Sequence, residues 1–340
     1  MTHELKEIFA VTETGLLEGS HAVLATVVAL EGSSYRRPGV RMLLLEDGRD
    51  FGAVSGGCVE REIRAQAASV FKTGQPRMMT YDGRYRLGCE GILHILLEPF
   101  RPSKGVRQAF ERQLRERTPF SCESHYFPDV GSRSSMGSLL RLEAGTFPLY
   151  PGFSPGGEMR VFRQDLAPCM RLVILGGEHD AVTLSGMASN LGWEVVVVVA
   201  ADMAKTRAHF PGAAELHAVI PEKWDAGFVD DRTAVLLMTH SYARDLAYLL
   251  QIASNKLPPV YLGVLGPANR RERLLDDLLE RMPETDAALL DAIRGPAGID
   301  IGAETPQEIA LSILSEILSV FRKVVPLPLK DKQGAIHSKA

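Results

Sequence analysis

Cysteine, acid and glycine meet in GAVSGGCVEREI, residues 52–63, where Gly56 and Gly57 stand directly before Cys58 and Glu60 follows two positions on. Val59, Ile63, Ala67, Val70 and Phe71 recur at helical spacing while Glu60, Arg61, Glu62 and Arg64 take the other face. A helix is therefore expected to start immediately after the glycines. Cys58 then sits in its first turn, where unpaired backbone N–H groups and the positive end of the helix dipole favour a thiolate. Glycine also leaves room for a ligand against the backbone, whereas the charge of Glu60 opposes thiolate formation. The same pattern serves equally as a tight strand-to-helix turn with a cysteine filling a small gap.

A second group of donors lies in GSSYRRPG, residues 32–39. Arg36 and Arg37 offer forked guanidinium donors suited to phosphate or carboxylate, and Ser33 and Ser34 add hydroxyls on the same loop. A solvated surface turn uses the same residues. Cys89, in LGCEG, also lies between glycines, but no helix is expected after it, so it ranks below Cys58.

The third group is LVILGGEHDA, residues 172–181, a strand turning into a helix where a dinucleotide fold carries G-x-G-x-x-G/A. Gly176, Gly177 and Ala181 fit that turn. The position whose backbone should approach a pyrophosphate is Glu178, and a carboxylate at a helix N-terminus repels phosphate. The next strand, EVVVVVA, ends in Val199 and Ala200 where an acid should meet the ribose hydroxyls, and the first acid is Asp202. Such a domain either keeps the fold without the nucleotide or serves another ligand. His179 and Asp180 at this turn, and His240 in MTHS after a later strand, fall at the carboxyl ends of parallel strands, where ligands of such sheets bind. A helix cap or a solvated histidine accounts for each of them singly.

The elements that must position these groups divide into two patterns. Short apolar runs at residues 21–30, 40–46, 78–81 and 91–97, with Asp47-Gly48 as a hairpin signal, predict a strand-rich α+β N-terminal domain over 1–165. The proline- and glycine-rich segment 150–168 reads as an irregular connection. Apolar strands then alternate with helices, which predicts a Rossmann-like doubly wound parallel sheet over 166–325 and a polar tail over 326–340. Thr305-Pro306-Gln307-Glu308 forms a capping box with proline at the first helical position, followed by an apolar stripe of Ile309, Ile313, Leu314, Ile317, Leu318 and Phe321.

Composition narrows the function classes. The 340 residues suit two domains at roughly 100–200 residues each. Charged residues are 24%, apolar ones 45% and aromatics 7%, the balance of a soluble globular chain. Net charge is −4 and no run of Lys and Arg forms a stripe, so nucleic acid is not an expected partner. Glu4, Glu7, Glu13 and Glu18 interrupt the first residues, so neither a membrane span nor a signal peptide is expected and a cytoplasmic location follows. The 4 cysteines make no C-x-x-C pair and are expected as reduced thiols.

GSSYRRPGVRMLL, GAVSGGCVEREI, LGCEGILHILLEP, RLVILGGEHDAVTL, TAVLLMTHSYARDLAYL, YLGVLGPANRRERLL and GIDIGAETPQEIALSILSEIL, in that order, resemble the xanthine dehydrogenase accessory proteins, the XdhC/CoxI group. The resemblance implies an N-terminal accessory domain joined to a Rossmann-type domain, usually in a dimer. It further implies that the chain binds the pterin-based molybdenum cofactor (molybdopterin) and passes it, after sulfuration with a cysteine desulfurase, to a molybdenum hydroxylase apoprotein of the xanthine dehydrogenase type. Cys58 would then touch molybdenum or handle sulfur, and a helix N-terminus would suit the terminal phosphate of the pterin. Whether the chain itself transfers sulfur is left open by these residues. Two rival readings stand beside this one: an NAD(P)-dependent oxidoreductase built on the second domain, and a non-catalytic oligomeric scaffold for a partner enzyme.

Overall fold

The structure is a computed structural model that describes residues 2–13, 21–32, 37–84, 91–255 and 257–333. Ser33, Ser34, Arg36 and Cys89 lie outside the described residues. The chain forms two compact units, Met1–Pro168 and Cys169–Ala340.

In the first unit the order is α1 (Thr2–Glu13), β1 (Ala22–Glu31), β2 (Arg41–Leu45), β3 (Asp50–Gly52), α2 (Cys58–Thr73), β4 (Arg77–Asp82), β5 (Ile92–Pro99), α3 (Lys104–Arg115), β6 (Phe120–Tyr126), β7 (Gly131–Ser132), β8 (Gly137–Leu142), β9 (Gly145–Pro148) and β10 (Arg160–Leu166). These strands make two antiparallel sheets, ordered β3-β2-β1-β5-β4-β7 and β10-β6-β8-β9. Side chains alternate across a strand, and here both faces are covered. Val23, Ala25 and Val27 of β1 pack with Val59, Ile63, Ala67 and Val70 of α2, while Leu24 packs with Leu5, Ile8 and Phe9 of α1 and Phe110 of α3. That two-sided burial is why β1 reads as a nearly unbroken apolar run.

The segment expected to be irregular contains β10, paired through all of Arg160–Leu166 with β6. Its prolines, at 151, 155 and 168, fall outside the strand, so the paired stretch keeps its N–H donors. Phe162 and Leu166 join apolar clusters while Val161 is 51% exposed, an inward-outward alternation that the flanking prolines and glycines masked.

The second unit runs β11 (Arg171–Leu175), α4 (His179–Asn190), β12 (Glu194–Ala200), β13 (Glu215–Val219), β14 (Thr233–Leu237), α5 (Tyr242–Ala253), β15 (Tyr261–Val264), α6 (Ala268–Arg281), α7 (Ala287–Ala292), β16 (Ile293–Arg294) and α8 (Pro306–Arg322). Its strands form a parallel sheet ordered β13-β12-β11-β14-β15-β16, so the chain reverses its direction of growth between β11 and β14. Leu172 and Ile174 pack toward Leu184 of α4 and Ile313 of α8, and Val173 and Leu175 toward Leu249 of α5 and Leu278 of α6. The capping box forms as expected: Glu308 N–H donates to Thr305 Oγ1 at 3.3 Å and Thr305 N–H to Glu308 Oε2 at 2.9 Å. Leu318, however, leaves the expected stripe and is 39% exposed, because the buried face is carried by Ala310, Ile313, Leu314 and Ile317. No helix among the described residues is long and apolar enough to cross a membrane.

Candidate functional site

The candidate residues fall into two groups, one in each unit. In the first unit the chain leaves β3 at Gly52, buries Val54, and turns through Ser55, Gly56 and Gly57 into α2. Gly57 has φ +96°, a conformation that favours glycine, and α2 begins at Cys58, whose thiol is exposed. A Cβ at Gly56 or Gly57 would meet nothing within 4 Å, so the backbone on either side is open to approach.

Glu60 closes this turn from within. Its carboxylate accepts the N–H of Ser55 at 2.5 Å and of Gly57 at 2.6 Å. Partial burial pushes its pKa up, but backbone N–H groups of Ser55, Glu60, Gly57 and Val54 outweigh that and hold it below the usual carboxylate range. The carboxylate is thus committed to the backbone, and the donors of Ser55 and Gly57 are already engaged. What the turn presents outward is the Cys58 thiol beside bare glycine backbone. Arg37 is exposed just before the Pro38-Gly39 turn into β2. Among the described residues no three His, Cys, Asp or Glu gather to hold a metal ion.

In the second unit Gly176, with φ +140°, lies so close to β14 that a Cβ would sit 2.7 Å from the Met238 carbonyl oxygen. A Cβ at Gly177 would lie 2.8 Å from Val199 Cγ1. These glycines let the turn pack down between the ends of β12 and β14, and Val199 is fully buried beneath it. Around them opens a cleft of about 290 Å³ at the point where the strand order reverses, lined by Gly176, Gly177 and Glu178 after β11, Ala200 and Met203 after β12, Thr239, His240 and Ser241 after β14, and Arg244 and Tyr248 of α5. Sheets of this kind bind their ligands there.

Of the residues expected here, Gly176, Gly177, Glu178 and His240 line the cleft together. His179 and Asp180 occupy the first turn of α4 outside that lining. Glu178 is the N-cap of α4, yet its side chain makes no capping hydrogen bond. Asp202 is paired: Arg244 Nη2 donates to one of its carboxylate oxygens at 2.6 Å.

Sequence reading missed the residues that support this edge. Asp245, fully buried, accepts the Thr239 hydroxyl at 2.6 Å and the Arg270 guanidinium at 2.5 and 3.1 Å, and Arg270 also donates to the Thr239 carbonyl at 3.2 Å. Burial raises the Asp245 pKa against the pull of Thr239 and Arg270. The network fixes the loop that carries His240. Tyr248 was missed as well. It is fully buried, its hydroxyl has no hydrogen-bond partner among the described residues, and burial pushes its pKa up to about 12. Its spacing from Arg244 on α5 was the available signal, but nothing local ties either residue to a cleft.

A Bacillus subtilis protein described as a probable xanthine dehydrogenase subunit is 30% identical to this chain, over 91% of this chain and 96% of its own length. The chain belongs to the XdhC and CoxI family. The family profile of that name matches residues 16–82 of this XdhC/CoxI chain, the part that contains the Cys58 turn, and the XdhC Rossmann domain profile matches residues 172–317, which contain the cleft. The molybdenum cofactor insertion chaperone PaoD of Escherichia coli is 28% identical over 94% of this chain and 90% of its own. A crystal structure described as a xanthine dehydrogenase from Bacillus halodurans superposes with a TM-score of 0.73 at 28% identity, covering 98% of this chain and 97% of that one.

Proposed function

We propose that this protein carries the molybdenum cofactor as cargo and inserts it into a xanthine dehydrogenase-type molybdenum hydroxylase apoprotein. Support comes from relatives aligned over nearly the whole chain, one described as a molybdenum cofactor insertion chaperone and one as a probable xanthine dehydrogenase subunit. The observation in the molecule that carries the reading is the exposed Cys58 thiol, presented at the head of α2 beside Gly56 and Gly57. A thiolate is a soft ligand matched to such a metal, and bare backbone beside it admits a bulky planar cargo.

In this reading Cys58 holds the metal end while Arg37, with Ser33 and Arg36 close by in the sequence, supplies donors for the cofactor's terminal phosphate. Glu60 keeps the turn closed, so the thiol stays at the surface instead of folding inward. A cysteine desulfurase supplies sulfur to the held cofactor, and the chaperone works as a homodimer. The charges at the Rossmann-like cleft disfavour the nicotinamide oxidoreductase reading, since Glu178 stands where a pyrophosphate would lie and Asp202 is paired with Arg244.

The test is the oxidised-pterin fluorescence of protein purified anaerobically from cells that make molybdenum cofactor, wild type beside Cys58→Ala. Pterin in the wild type with loss in the variant supports the reading. Equal pterin in both removes Cys58 from the role, and none in either overturns cofactor carriage.

A further inference from the structure

The outer side of α8 is uncovered, and its residues are arranged with a symmetry that the fold itself does not use. At helical spacing Glu308, Leu311, Ser315, Leu318 and Arg322 fall on one stripe, turned away from the face that Ala310, Ile313, Leu314 and Ile317 bury. Leu311 is 51% and Leu318 39% exposed, Glu308 and Arg322 are exposed, and Ser315 is half-buried. Two exposed leucines mean little by themselves. Their place between an acid and a base is the informative part.

From its N-terminus the stripe reads acid, leucine, small residue, leucine, base. A second copy laid antiparallel therefore sets Glu308 against the partner subunit's Arg322 and Leu311 against the partner subunit's Leu318. Both pairings are centred on Ser315 or the peptide before it, so a single two-fold axis satisfies them together, the condition for an isologous contact. A small side chain at that axis lets the helices approach. A parallel pairing would set acid against acid and base against base, which charge disfavours.

The chain beyond α8 lengthens the same match. Val324, Val325, Leu327 and Leu329 are all exposed, Val325 at 81% and Leu329 at 67%, and Pro326 and Pro328 keep this run from continuing the helix. The 17 residues of α8 span about 25 Å. An antiparallel partner brings the run to the other copy's α8 N-terminus, where Ile301 is exposed and Asp300 and Glu304 offer acids to Lys330. We propose that the stripe from Glu308 to Arg322 is a two-fold interface with a second copy of this chain, crossed antiparallel with Ser315 at the axis. The proposal deepens the homodimer of the reading above by naming its face, and it rests on that part of the reading alone.

The test is sedimentation equilibrium of the full-length wild type, Leu311→Glu, Leu318→Lys, the double variant, and an equal mixture of the two single variants. The wild type is expected to be a dimer. Each single variant is expected to dimerise at least about tenfold more weakly, because its new charge is buried against a leucine of the other copy. The double variant and the mixture are expected to recover the dimer, since the new acid at 311 then meets the new base at 318 across the axis. Positions 311 and 318 lie about 10 Å apart along one helix, so no pair within a chain imitates that recovery. Recovery in the mixture also shows that both single variants fold. A monomeric wild type, single variants as dimeric as the wild type, or no recovery in the double variant and the mixture overturns the interface. The two readings fail separately. Pterin that co-purifies with a dimer indifferent to both substitutions sinks only the interface, whereas a dimer broken and restored as expected without any co-purified pterin sinks only the carriage.

Discussion

Arg244 and Asp202 meet at 2.6 Å over the carboxyl end of β11, joining the segment after β12 to the helix after β14. Both side chains are well exposed, at 36% and 68%, so the pair contributes about 0–1 kcal/mol of stability at most. Its consequence is electrostatic: the first acid after β12 stands beside a cation.

That pairing sets the outcome of a titration with NADH and NADPH. Neither is expected to bind at up to millimolar concentration, read by nicotinamide fluorescence, because the pyrophosphate meets Glu178 and a ribose must compete with Arg244 for Asp202. Micromolar binding would show that the cleft reorganises around a dinucleotide.

Glu60→Gln tests the closed turn before Cys58. A carboxylate whose folded pKa is depressed stabilises the fold above its unfolded value of 4.5, and this is lost as pH falls through the lower folded value. The variant is expected to lose about 1 kcal/mol at neutral pH, the usual worth of a cap, with the gap closing in acid. Urea unfolding of both proteins at neutral and acidic pH measures it, and a gap that does not depend on pH would contradict the role given to Glu60.

Glu98 carries the opposite sign. It is fully buried on β5, and burial raises its pKa to about 7 against the Ser138 N–H at 2.8 Å, the Ser138 hydroxyl at 2.5 Å and the charge of Arg41. Below 4.5 it is protonated in both folded and unfolded chains and has no effect. Between 4.5 and about 7 the unfolded chain gives up the proton first, so stability falls as pH rises and levels off above. Glu98→Gln is expected to flatten that slope in thermal midpoints measured across the window. An unchanged slope would place its origin elsewhere.

Arg270→Met should be the most damaging of these changes. It leaves the fully buried Asp245 carboxylate without its cation, a loss of about 3–5 kcal/mol. Adding Asp245→Asn should recover part of it, since the two residues act as one unit. Denaturant unfolding of the single and double variants checks both, and additive losses would mean that the pair is not coupled.

What could be read from the residues alone was local. The start of α2 at Cys58, the Thr305 capping box and the parallel second sheet were all legible, because periodicity and turn chemistry act within a few residues of chain. The departures at Glu178 and Val199 were legible as departures. β10 was not, since its pairing with β6 is decided by a partner strand distant in the chain, while the prolines beside it speak only of their own positions.

The amino-acid sequence by itself thus determined the elements, the Cys58 turn and the altered fingerprint of an XdhC/CoxI chain. Only the tertiary structure decided which charges are spent and which are left over. Asp202 is paired with Arg244 and Glu60 with the backbone of its own turn, while Glu178 lines the cleft without capping its helix. The reason is that strand order, and not sequence distance, brings the ends of β12, β11 and β14 side by side, and a side chain's partner is set by that adjacency.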